Sequence, residues 1–421
     1  MTNQSGVIPL AAFFIGEFAI YRWMILFGVW SCYAAFGLTA TSLAPLVPLI
    51  EADLSISHTA MGSIMGAWQL TYIGFAIPGG ILLDKIGSRF ALTTGVLIIA
   101  CSALLRGLSD DYVSMLLAVM LFGVGGPIVS AGAPKIITRW FEGPSRGLAM
   151  GIYMTGPAIG GVISLTLTHS VLLPLLGSWQ NLMFLNAGIA LLIALLWFVI
   201  ASRSSMRAAE AVSRSNQDQQ PLLIGTLLKQ PAVRLVLIMS VGVFMVNHGL
   251  NNWLPSILQT SGMTLIEAGY WAAIPTVIGI LGSLTIPRLA TPGRRFEILL
   301  GLGLAAAIAT ILLQFNNPTL QTSGLILQGI ARSSLMTVLI LTLVELPGIG
   351  DKYAGMASGL FFSAAEVGGV MGPIALGLLY DVSGNFSLAL ILLTVISLGL
   401  AASTLRLKGL ASVPAADRPA R

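Results

Sequence analysis

Charge is what this sequence has least of. Only 9% of its 421 residues are Asp, Glu, Lys or Arg, against about 25% in ordinary soluble domains. So little ionic surface excludes a water-soluble globule of this length. Cysteine is scarce as well. Cys32 and Cys101 both sit in apolar runs, which reads as packing rather than a disulfide frame or a thiolate metal site. The three histidines, His58, His169 and His248, are far apart, and no acidic cluster has metal-ligand spacing. No metal or cofactor is expected, and a membrane-embedded enzyme is disfavoured. Met1–Gly16 has no basic segment ahead of an apolar core, so no cleaved signal peptide is expected. The net charge of +5 is spread over many loops, which speaks against a nucleic-acid partner.

What is abundant is apolar sequence, 56% of the chain. Runs of membrane-crossing length cover roughly 23–49, 58–82, 90–108, 112–136, 146–172, 180–201, 233–258, 266–290, 296–315, 321–346, 353–380 and 385–404. A helix needs about 20 residues to cross the hydrocarbon layer. The expectation is an all-α polytopic membrane protein with twelve transmembrane helices in two six-helix halves. Of its 21 Lys and Arg residues, 19 then fall on one side, and only Arg106 and Arg332 escape. Such a bias marks the cytoplasmic face, so both termini are expected in the cytoplasm and the protein in the cytoplasmic (inner) membrane. Segment 202–232 is the one long polar stretch between spans. It divides an N-terminal half, 1–201, from a C-terminal half, 233–405, and leaves 406–421 as a cytoplasmic tail.

The halves share weak internal matches. Gly37-Leu38 precedes Gly249-Leu250, and Gly147-Leu148-Ala149-Met150-Gly151 precedes Gly355-Met356-Ala357-Ser358-Gly359, both at an offset of about 210 residues. Similar offsets fit two related halves around one pathway.

The loop after the second span reads Gly79-Gly80-Ile81-Leu82-Leu83-Asp84-Lys85-Ile86-Gly87-Ser88-Arg89-Phe90. It resembles the signature loop of major facilitator superfamily transporters. The resemblance covers nearly the whole chain and implies alternating access, with Gly80, Asp84 and Arg89 in the gating loop. Gly80 would allow close packing, Asp84 would pair with a basic neighbour, and Gly87 would permit the tight turn. The matching segment of the second half, Pro287-Arg288 to Gly293-Arg294-Arg295-Phe296, keeps the basic end but lacks the aspartate. The seventh span, His248-Gly249-Leu250-Asn251-Asn252-Trp253-Leu254-Pro255-Ser256, is similar to cyanate- and nitroimidazole-type transporters and to parts of the anion:cation symporters. Both groups favour small anionic or polar solutes.

Arg332 lies about halfway along the tenth span, within Gly329-Ile330-Ala331-Arg332-Ser333-Ser334. A lipid-facing arginine there is costly, whereas its planar fork suits a carboxylate. Two readings are open: a solute anchor, or an ion pair with Glu366 in the eleventh span. Glu366 is correspondingly either a proton carrier or half of that pair. Asn247 and Asn251, and His248 and Asn252, stand one turn apart and give the seventh span a polar sector. His248 could bind solute, titrate, or fill a structural hydrogen bond. Trp253 and Pro255 would mark the outer end of this span, with a local break at the proline. Tyr33 in the first span and Tyr153 in the fifth are candidate cavity residues. Gly156 and Pro157 resemble the fifth-helix motif of drug antiporters, although simple helix packing explains them as well. Arg106 is expected to snorkel near Asp110 and Asp111.

The expected function is secondary active transport of a small organic or inorganic anion, proton-coupled and inward, with Arg332 as anchor. The alternatives are proton-driven export of a small amphipathic or drug-like solute, and anion exchange. The expected partners are the solute, H+ and the lipid bilayer, and a monomer suffices.

Overall fold

The computed structural model describes residues 10–203, 224–346 and 349–411. Most of the expected linker, 204–223, and the end of the expected tail, 412–421, lie outside the described residues. The helices are α1 (Leu10–Thr41), α2 (Val47–Leu54), α3 (His58–Gly107), α4 (Tyr112–Trp140), α5 (Pro144–Leu167), α6 (Leu173–Leu176), α7 (Trp179–Ile200), α8 (Ile224–Lys229), α9 (Pro231–Thr260), α10 (Leu265–Leu289), α11 (Arg295–Leu312), α12 (Pro318–Val344), α13 (Gly350–Ser383) and α14 (Ser387–Ala411). The last helix therefore continues to Ala411, past the expected start of the tail.

Among the described residues, eleven helical segments are long and apolar enough to cross a membrane. One of them is α3, 50 residues long. At 1.5 Å per residue it would extend about 75 Å, far beyond a hydrocarbon layer of about 30 Å. Gly87 resolves the excess: its φ of 81° and ψ of 163° break the helix, a left-handed conformation that glycine adopts without steric cost. The break separates two spans, so the described residues hold the twelve that hydropathy predicts.

Every even-numbered span begins at the same end of the bundle, and there side chains tie down the free backbone N–H groups. Ser57, Asp111, Ser178, Thr264 and Asn317 each accept a backbone hydrogen bond from the first turn that follows. Asp111 with Ser114, and Thr264 with Glu267, form reciprocal capping boxes. These caps satisfy donors that would be costly to leave open near lipid. The opposite end carries Lys85, Arg89, Lys135, Arg139, Arg146, Arg288, Arg294 and Arg295; it is called the basic end below.

The apolar core divides unequally between these ends. One cluster joins both halves away from the basic end, uniting Leu46, Ile50, Met61 and Met65 with Leu250, Trp253, Leu254, Leu376 and Phe386. Toward the basic end each half keeps its own core, around Ile25, Val96, Ile136 and Trp197 in one, and around Val236, Leu302, Val338 and Phe361 in the other. The halves are thus clasped at one end and separately packed at the other. The clasp depends on glycine. A Cβ on Gly62 would collide with the Pro373 carbonyl, and one on Gly377 with the carbonyl of His58.

Two expectations need correcting. Trp253 does not mark a helix end: it is fully buried in the clasp, its indole Nε1 donating to Pro373 O at 2.8 Å. The helix α9 also runs through Pro255 to Thr260 without a break. Arg106 does not snorkel. It is 1% exposed, donates from one guanidinium nitrogen to Thr39 O at 2.8 Å and Ser42 Oγ at 3.3 Å, and lies over the Phe122 ring. The carbonyls freed where α1 ends are better partners for a buried cation than remote surface aspartates.

Candidate functional site

Between the halves lies a cavity of about 380 Å³. Its wall combines Phe36, Gly37, Thr41 and Trp68 of the first half with His248, Asn251, Asn252, Thr276 and Arg332 of the second. Two aromatic faces stand on one side and a cation with amide groups on the other. That division suits a small solute with an apolar body and an anionic end.

Arg332 sits near the middle of α12, half-buried, and its guanidinium donates to Thr276 Oγ1 at 3.4 Å. Among the described residues it forms no ion pair with a carboxylate within 4.0 Å. Glu366 is not its partner. That carboxylate is 6% exposed on α13, and its Oε2 has no hydrogen-bond partner among the described residues. Instead it faces a small polar junction beside Gly369, where Glu366 Oε2, Gln69 Cγ and His248 Cδ2 all come within 3.4 Å of the position a Cβ would take. Gln69 Nε2 lies 3.1 Å from His248 Nδ1, so one polar bridge joins α3 of the first half to α9 of the second.

Asn252 donates its side-chain amide to His248 O at 2.9 Å and still reaches the cavity wall, as does Asn251. Asn247 faces a smaller chamber behind Arg332, together with Gln328. Tyr33 and Tyr153 are not among the lining residues. They pack edge to face at 5.4 Å, and the Tyr33 hydroxyl donates to Ser130 O at 3.4 Å, one turn nearer the basic end than Phe36 and Gly37. Pro157 lines the cavity. Gly156 lies against the Trp30 carbonyl, and Pro157 fills the space that glycine leaves at Gly37, so both residues serve the close crossing of α1 and α5.

The loop residues separate into different tasks. Asp84 pairs with Lys135 of α4. Arg89 lies over the Phe198 ring at 4.0 Å. The close approach expected at Gly80 occurs at its neighbour Gly79, which packs on Ile128, whereas a Cβ on Gly80 would meet no atom within 4 Å. Sequence reasoning missed Gln69, Thr276 and Trp68. Gln69 carried a signal, being the lone side-chain amide in the second span.

The pattern of the Major Facilitator Superfamily matches residues 29–373. The chain belongs to the major facilitator superfamily. It is 25% identical over 372 residues to the hexuronate transporter of Bacillus subtilis (strain 168), covering 84% of this chain and 87% of that one. It is 30% identical over 381 residues to the quinolone resistance transporter of Acinetobacter baumannii, covering 82% and 84% respectively. A crystal structure of the nucleoside transporter NupG matches with a TM-score of 0.76 at 13% identity, over 92% of this chain and 99% of that chain. Likeness at that identity concerns the fold alone. This superfamily member is a polytopic membrane transporter and not an enzyme.

Proposed function

We propose that the transporter carries a small organic anion of the sugar-acid class into the cell by alternating access, coupled to protons. The observation that carries this reading is Arg332: a cation in the wall of an inter-half cavity, without a carboxylate partner among the described residues. An uncompensated charge in a low-dielectric wall is costly, and an incoming carboxylate relieves that cost with two parallel N–H···O bonds. Asn251, Asn252 and His248 supply polar contacts beside it, and the rings of Phe36 and Trp68 cover the solute's less polar face. The likeness to a hexuronate transporter supports the same solute class.

With the basic end in the cytoplasm, as the positive-inside bias favours, the clasped end faces outward and this conformation opens inward. Both termini are then cytoplasmic, and the protein resides in the inner membrane as a monomer. Glu366 and His248 meet where the two halves meet, so a proton held there is exchanged as the halves rock. Asn247 steadies Arg332 from behind, Tyr33 and Tyr153 border the inward path, and Gly80, Asp84, Arg89, Gly156 and Pro157 serve the gating helices.

Uptake of labelled glucuronate into proteoliposomes tests this reading. Wild-type protein accumulates it under an inward proton gradient, Arg332→Ala raises KM by about 10- to 100-fold, and Arg332→Lys recovers only part of the loss. Those factors correspond to about 1.5–3 kcal/mol for hydrogen bonds to a charged group. Unchanged KM in both variants would contradict the anchor.

A second reading, export of an amphipathic solute, is favoured by the apolar part of the wall, Phe36, Trp68, Met154 and Met336, and by the likeness to a quinolone resistance transporter. Under that reading proton-driven efflux of a fluorescent amphipath exceeds sugar-acid uptake in the same vesicles.

A further inference from the structure

The clasped end contains a titratable cluster that the central cavity does not use. His58, the first residue of α3, lies between the halves. Its Nδ1 is 3.3 Å from Glu51 Oε1 of α2, on its own half, and 3.9 Å from Asp381 Oδ1 of α13, on the other. Its ring stacks on Tyr380 with centroids 3.8 Å apart and planes inclined by 5°, and on Trp253 at 5.2 Å and 4°. Both rings come from the second half. Asp381 also caps α3 across the divide, accepting from the backbone N of His58 at 3.2 Å and of Thr59 at 2.8 Å, and from the Thr59 hydroxyl at 2.5 Å. Among the described residues, the titratable groups that α2 and α13 bring to this end are Glu51, Asp53, Asp381 and the Tyr380 hydroxyl; Asp53 accepts from Trp179 Nε1 and Gln180 Nε2 instead, and Phe386 and Trp253 complete the surroundings of His58.

We propose that Glu51, His58 and Asp381 form a proton-operated latch that stabilises closure of this end. Closing brings two carboxylates within 4 Å of one imidazole nitrogen. A neutral imidazole donates through that nitrogen to one of them, leaving two negative charges facing each other in a half-buried site. One added proton, shared within the cluster, reduces the cluster's charge from −2 to −1 and lets both carboxylates approach the ring. The parallel faces of Tyr380 and Trp253 add attraction for a cation between them. Opening removes Asp381, Tyr380 and Trp253 together and leaves Glu51 with His58 in water. The closed form therefore holds its proton more tightly than the open form, and by linkage acidification favours closure. The latch lies apart from Glu366 and from Arg332, so it works whichever solute the cavity carries.

Distance measurements between nitroxides on Leu108→Cys and Thr260→Cys test the latch in lipid nanodiscs, with Cys32 and Cys101 replaced by alanine. Leu108 and Thr260 are exposed at the clasped end, one on each half. As the medium is taken from about pH 8 to about pH 5, the range in which imidazole ordinarily titrates, the closed-to-open ratio rises about tenfold. Glu51→Gln removes one of the facing carboxylates, so closure recruits less of a proton and the slope falls by at least half; adding His58→Gln to it removes the rest of the cluster's share. Glu267→Gln, which changes an exposed carboxylate at the same end but outside the cluster, keeps the wild-type slope. A wild-type ratio that does not change with pH would overturn the latch, and so would a Glu51→Gln protein that keeps the full slope. A slope lost only in Glu366→Gln assigns proton sensing to the central junction and overturns the latch as well.

Discussion

Two arginines depart from the one-sided distribution of basic residues, and they have opposite fates. Arg106 is held by a carbonyl, a hydroxyl and a ring at the end of α1. Arg332 is left to face the cavity. The sequence singled out both residues but set Arg106 beside Asp110 and Asp111, because its actual acceptor is the backbone of Thr39, a group that every residue possesses. Arg106→Leu deletes two charge-assisted hydrogen bonds, to Thr39 O and Ser42 Oγ, so it costs about 1.5–3 kcal/mol. Its thermal unfolding midpoint in detergent falls accordingly, whereas KM in the folded fraction stays within about twofold of wild type. A normal midpoint would contradict the structural role of Arg106. Glu366 teaches a related lesson. Its pairing with Arg332 was open in the sequence, and the choice depended on helix rotation: Glu366 turns toward Gln69 and His248, where α13 meets α3 and α9.

At the scale of elements, each half carries an ion pair at the basic end. Asp84 beside the α3 break meets Lys135 of α4, and Arg295 at the start of α11 meets Glu345 just past α12. The second loop, which lacks the aspartate, is tied instead through its basic end. The repeat was visible in the sequence, but these pairings were not, since each joins residues some fifty positions apart. The Asp84–Lys135 pair is partly exposed on both sides, so it contributes about 0.2–1 kcal/mol. Asp84→Lys slows transport, and adding Lys135→Asp recovers at least half of the lost initial rate; a double variant as slow as the single would argue against the pair. Helix crossings allow a sharper test. Gly377 packs on the His58 carbonyl without space for a methyl group, so Gly377→Ala pries α13 from α3. Labelling by a membrane-impermeant maleimide at a single cysteine placed at Asn252, deep in the cavity, then rises severalfold from the clasped side. Unchanged labelling would mean that this crossing does not control closure.

At the scale of the whole molecule, hydropathy and basic residues were enough for the span count, because a bilayer sets helix length and loop charge directly. The Gly87 break was legible for a similar physical reason: a 50-residue helix cannot fit the layer. Helix rotation was far less legible. Side chains of nearly uniform apolarity give little amphipathic contrast, which is why Tyr33 and Tyr153 were expected at a cavity that they do not line. Nor could the sequence reveal that one shared core and two separate ones would leave the molecule clasped at a single end.

The most direct measurement is calorimetric binding of glucuronate to purified wild-type, Arg332→Lys and Arg332→Ala proteins, because it needs neither transport direction nor coupling. If Arg332 is the carboxylate anchor, affinity falls in that order, by about 10- to 100-fold for the alanine variant, and the uncharged alcohol glucose fails to bind the wild type. Equal affinity across the three proteins, or glucose binding as tightly as glucuronate, would contradict an anion site at Arg332.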